Sequence, residues 1–126
     1  TNESYDNMEA SGYIRELREF ISNVKKQNID VPIIVMTPPP SLHRGRKPNV
    51  YVKDYAERIN SIAEKDDFAV WDLYDEFGGM TGIKQLKAEG LIGPDYVHYS
   101  KKGYEKQAKL FTEAFLKAYD NFKSKK

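Results

Sequence analysis

The sequence predicts an α/β layer fold with a parallel sheet. Segments of helical apolar spacing alternate along it with short apolar, β-branched runs. Those runs show no polar alternation, which marks strands covered on both faces, as in parallel sheets. The 126 residues suffice for one domain core and are too few for two.

The elements follow in order. Residues 1–12 are polar and read as a loop. Tyr13, Ile14, Leu17, Phe20, Ile21 and Val24 then fall at helical spacing, and Asn28 stands where that helix would end. The run from Val31 to Met36 reads as a strand; Pro32 fits only at its first residues, and Pro38 to Pro40 stop it. Residues 41–49 form a loop carrying His43, Arg44, Arg46 and Lys47. Val52, Tyr55, Ala56, Ile59, Ile62 and Ala63 give a second amphipathic helix. Phe68 to Trp71 is a second strand, and Leu73 to Phe77 a helical turn broken by Gly78 and Gly79. Ile83 to Ala88 reads as a short helix and residues 90–99 as a loop. Ser100 is placed to cap a last helix whose buried stripe is Tyr104, Ala108, Phe111, Phe115, Ala118, Tyr119 and Phe122.

Only two strands emerge, whereas open sheets commonly have about 4 to 6. Two parallel strands would leave two unpaired edges. The sequence is therefore expected to hold part of a sheet whose remaining strands lie elsewhere. Its first residue is Thr and no signal-peptide pattern appears, so an upstream portion is expected and the compartment is not readable.

Composition removes several function classes. Twenty Lys+Arg balance 19 Asp+Glu for a net charge of +1, unlike the strongly basic domains that track phosphates, so nucleic acid is not an expected partner. Even the longest unbroken apolar run is short, as from Ile33 to Met36, so no transmembrane segment is expected. Absence of Cys removes disulfides, thiolate metal sites and a Cys nucleophile, and two histidines 55 residues apart give no metal-ligand cluster.

Candidate chemistry centres on Asp95-Tyr-Val-His98. A carboxylate three residues before an imidazole can take its Nδ1 proton, which leaves Nε2 free as a base. Taken alone the spacing also suits an ordinary loop histidine. Its setting, after Gly90-Leu-Ile-Gly-Pro94 and before a helix start, is where α/β folds carry functional groups. Asn2 offers an amide donor suited to an oxyanion. No serine lies in a G-x-S-x-G elbow or a G-D-S turn, so no nucleophile is identified. The basic loop with His43, Arg44, Arg46 and Lys47 is either a solvated surface or a contact for an anionic or sugar substrate.

The block from Asp75-Glu-Phe-Gly-Gly-Met80 through Gly90-Leu-Ile-Gly-Pro-Asp-Tyr-Val-His98 to Tyr104 resembles the C-terminal part of SGNH (GDSL-type) hydrolases. The similarity is greatest to the branch of bacterial carbohydrate and peptidoglycan O-acetylesterases. Val31 to Pro39 and Phe68 to Asp72 resemble the strands preceding that block, and Thr1-Asn2-Glu3 resembles a G-T-N-[DE] block without its Gly. The resemblance implies a three-layer α/β/α sandwich with a parallel, flavodoxin-like sheet, of which residues 1–126 are the C-terminal portion. The family's G-D-S block and second oxyanion glycine lie upstream and are not among these residues.

The resemblance further implies serine ester hydrolysis, removing short acyl groups such as acetyl from carbohydrate. Asp95 and His98 would be catalytic, Asn2 would serve the oxyanion hole, and neither metal nor cofactor would be needed. The partners would be an ester substrate, such as an acetylated glycan, and the N-terminal half of the same domain. An extracytoplasmic location follows from the resemblance alone. Two other readings stand beside this one: a catalytically inactive α/β binding module, and a thioesterase or lysophospholipase of the same superfamily.

Overall fold

The computed structural model describes residues 2–125, with side chains over 3–125. The elements run α1 (Asn2–Tyr5), α2 (Ala10–Gln27), β1 (Ile34–Met36), β2 (Leu42–His43), β3 (Lys47–Pro48), α3 (Val50–Ile62), β4 (Ala69–Trp71), α4 (Leu73–Glu76), α5 (Gly79–Ala88) and α6 (Lys101–Ser124). β1 and β4 pair in parallel, with Ile34 opposite Ala69 and Met36 opposite Trp71. β2 and β3 form a small antiparallel hairpin. The predicted class, mixed α/β with a parallel sheet, is the one observed.

Alternation along the strands assigns the faces. Val35 and Val70 join the core of Ile14, Ile21, Ile59, Ile62 and Phe68, so α2 and α3 cover one face. Trp71 points the other way and meets Phe111 of α6, the ring centroids 5.1 Å apart. There a second core of Leu73, Phe77, Leu86, Leu91, Ile92 and Tyr99 fills the space among α4, α5, the 90–99 segment and α6. The layers are thus helix, sheet, helix.

Several boundaries differ from the expected ones. The N-terminal stretch is not all loop: α1 and the start of α2 occupy it, because tertiary bonds hold it. Asn49 Nδ2 donates to the buried Ser4 Oγ at 3.1 Å, and the Tyr55 hydroxyl donates to Met8 O. The first strand shortens to Ile34–Met36, Pro32 having no N–H for a ladder. The 41–49 loop contains the β2–β3 hairpin, and α5 starts at Gly79 rather than Ile83.

Two expectations about burial fail. β1 is not covered on both faces: Ile34 and Met36 are 46% and 49% exposed. The stripe predicted to bury α6 is largely open, with Tyr104, Phe115, Tyr119 and Phe122 exposed and only Gly103 and Gln107 buried. The described residues supply no layer over these surfaces. No helix among the described residues is long and apolar enough to cross a membrane.

A polar junction at the C-terminal ends of β1 and β4 joins the two strands to α4. Thr37 Oγ1, buried, donates to Asp72 Oδ1 at 2.8 Å and accepts from Tyr74 N at 2.9 Å. Asp72 Oδ1 also caps α4 through Asp75 N. Further on, Ser100 caps α6 by accepting from Gly103 N at 3.1 Å, as its position predicted. Gly103 is required there: a Cβ would collide with the Leu91 carbonyl oxygen.

Candidate active site

The 93–98 segment is a tight turn closed by its own backbone. Gly93 N donates to His98 O at 2.7 Å, and Tyr96 adopts a left-handed φ of 58°. Asp95 supplies the other restraint. Its Oδ1 accepts from Val97 N and His98 N, each at 3.0 Å. Its Oδ2 stands 2.7 Å from His98 Nδ1. One carboxylate therefore shapes the turn with one oxygen and holds the imidazole with the other.

The electrostatics follow from these bonds. The His98 hydrogen bond, and then the Val97 and His98 amides, hold the Asp95 carboxyl down at about 2. Asp95 is thus an acceptor at neutral pH, and a neutral His98 must carry its proton on Nδ1. The lone pair then lies on Nε2, which has no hydrogen-bond partner among the described residues. His98 is largely in the open, its side chain 80% exposed, so an incoming group can reach it.

The two side chains open onto a pocket of about 440 Å³, whose other walls include Tyr5, Asp6, Arg44 and Gly45. The β2–β3 hairpin builds one wall. Leu42 N donates to Tyr96 O at 2.9 Å, and the buried Tyr99 hydroxyl donates to Pro40 O at 2.8 Å. Both bonds tie the hairpin to the turn holding the imidazole. On its other side, His43 Nε2 lies 3.1 Å from Tyr5 O, and the two rings are tilted with centroids 5.2 Å apart. The hairpin thus bridges α1 and the Asp95–His98 turn.

Of the residues singled out in the sequence, Asp95 and His98 meet directly. Asn2 opens α1, but its side chain lies outside the described residues. Arg44 reaches the pocket, whereas Arg46 and Lys47 are exposed away from its lining. Ser4 is buried against Asn49, Ser100 caps α6, and Ser22 and Ser61 lie within helices. Among the described residues, no serine hydroxyl bonds His98. Tyr5 and Asp6 were not foreseen, since they reach the pocket only through the packing of α1. For Gly45 the Arg-Gly-Arg sequence was a turn signal.

Comparison with known proteins bears on this site. Residues 1–106 match the GDSL-like lipase/acylhydrolase family. The fold is similar to a solved structure of a peptidoglycan O-acetylesterase in action, with a TM-score of 0.82 and 18% identity. The match covers 93% of this chain and 35% of that one, so the chain spans about a third of that structure's length. At that identity the likeness establishes a shared fold. No curated protein matches the chain.

Proposed function

Because this chain belongs to the GDSL-like lipase/acylhydrolase family, we propose that it supplies the acid–base portion of a serine ester hydrolase. In this reading residues 1–126 form the C-terminal portion of one SGNH domain, and the nucleophilic serine comes from polypeptide outside them. The observation that carries the proposal is the 2.7 Å contact between Asp95 Oδ2 and His98 Nδ1, in a histidine that lines the pocket and whose Nε2 has no hydrogen-bond partner among the described residues.

The chemistry then runs in two halves. The serine oxygen attacks the ester carbonyl as its proton passes to Nε2 of His98. Asp95 stabilises the imidazolium so formed and keeps the ring aligned. Collapse of the tetrahedral intermediate expels the alcohol, which takes the proton back from Nε2. Water then attacks the acyl-serine by the same route, releasing the acid and restoring the serine. Asn2 is proposed to donate its amide N–H to the oxyanion in both tetrahedral states.

The substrate class proposed is a short acyl ester, acetyl above all, carried on carbohydrate. Exposed Tyr5 beside the pocket supports it, since aromatic faces serve as platforms for the C–H groups of sugar rings, and Asp6 can accept from sugar hydroxyls.

The test uses the complete protein containing these residues. It should hydrolyse p-nitrophenyl acetate, and His98→Ala should lower kcat by roughly 10²–10⁴-fold, the range of a positioned general base. Undiminished turnover in that variant would remove His98 from the mechanism.

A further inference from the structure

Arg44 occupies an unusual position. It is a non-glycine residue held at φ 52°, followed by Gly45 at φ 65°, in the turn between β2 and β3. A left-handed conformation at a residue with a Cβ costs about 1 kcal/mol or more and persists where the surroundings impose it. Here the surroundings are the two bonds that fasten β2, Leu42 N to Tyr96 O and His43 to Tyr5 O. Gly45 also comes close to the dyad turn: a Cβ on it would lie 3.8 Å from Asp95 O. Arg44 lines the same pocket as His98, and its exposed side chain makes no hydrogen bond or ion pair with any described residue.

A cation beside this pocket, without a partner among the described residues, is free to pair with an incoming anion. The nearby acids do not claim it. Asp95 already accepts three hydrogen bonds, and no ion pair joins Arg44 to Asp6. We propose that Arg44 is a specificity-determining residue: it pairs with a carboxylate carried on the alcohol portion of the ester, as on an acidic, uronic-type sugar. This rests on the reading of Asp95 and His98 as an ester-cleaving pair. A guanidinium fork matches a carboxylate through two parallel hydrogen bonds. Asp6 in the same lining argues for a singly charged ligand, since a phosphate near its second ionisation would meet greater repulsion. The pocket then carries both kinds of polar contact a uronic sugar needs, a donor fork for its acid and an acceptor for its hydroxyls.

The experiment compares, in the complete protein, acetylated glucuronate with its neutral primary amide and with an acetylated sugar phosphate. The ratio of kcat/KM for the carboxylate over the amide should exceed one and fall about tenfold in Arg44→Gln, mainly through KM, as expected for a lost charge-assisted pair. Arg44→Gly, which suits the left-handed turn and removes only the side chain, should give the same fall. Arg46→Gln, on the same turn but outside the lining, should leave the ratio as it was. An unchanged ratio in both Arg44 variants, or a wild-type preference for the amide or the phosphate, overturns the proposal. Calorimetric binding of sodium glucuronate probes the same pair without chemistry. Wild-type protein should bind about tenfold more tightly than Arg44→Gln, and equal affinity overturns the assignment even if no ester is cleaved. Failure of the wild type to cleave any ester, with glucuronate binding still dependent on Arg44, would instead overturn the esterase reading alone.

Discussion

At the scale of single residues, Asp95 determines more than any other side chain at the site. Its carboxylate builds the turn and fixes the tautomer, so its loss acts on both. With its carboxyl held down at about 2, Asp95 stays ionised at any pH near neutrality. If His98 is the proposed base, Asp95→Asn should reduce kcat by about 10²-fold or more, since the ring loses the carboxylate that holds it. Steady-state kinetics of variant and parent check this, and an unchanged kcat would separate Asp95 from the base. This pair was legible because its geometry is local: three residues of separation bring carboxylate and ring together within one turn. Tyr5 and Asp6 were not, since they meet His98 across more than ninety positions of chain, and no spacing rule spans that interval.

At the scale of elements, the long amphipathic helices were readable and the short pieces were not. α2 and α3 follow their apolar period because each buries one continuous stripe against the sheet. α1 and the β2–β3 hairpin have no such period. They exist through bonds to Asn49, Tyr5 and Tyr96, supplied from other parts of the chain. α6 was placed correctly by its cap but misjudged in burial, because period alone does not say whether a neighbouring layer is present. Its first turn is the critical one. The Gly103→Ala variant should lose about 1–3 kcal/mol, since the added methyl would press on the Leu91 carbonyl and push the helix from the second core. Denaturant unfolding of the complete protein measures this, and a loss within roughly 0.5 kcal/mol would mean that the helix shifts freely.

At the scale of the whole molecule, the sheet has one finished face and one unfinished. α2 and α3 seal the first, while Ile34 and Met36 on the second stand half-exposed, near a helix that also shows its aromatic side chains to solvent. The sequence showed two strands suited to a parallel sheet, and β1 and β4 do pair in parallel. If the proposed domain is completed by strands from outside residues 1–126, Ile34 becomes a core residue. Ile34→Ala should then cost about 2 kcal/mol or more in the complete protein, the usual effect of truncating a buried aliphatic. A cost within roughly 0.5 kcal/mol, typical of surface sites, would mean that this face stays wet and the domain boundary is wrong.

The attachment of the β2–β3 turn has a bearing on how such a protein diversifies. The tip at Arg44 and Gly45 lies beyond the bonds that anchor its stem, while the ring of His98 is held, among the described residues, by Asp95. If His98 is the proposed proton acceptor, lengthening, shortening or recharging the tip would exchange one clientele of molecules for another without re-aiming it. The hairpin is in that sense an interchangeable fitting on a fixed tool.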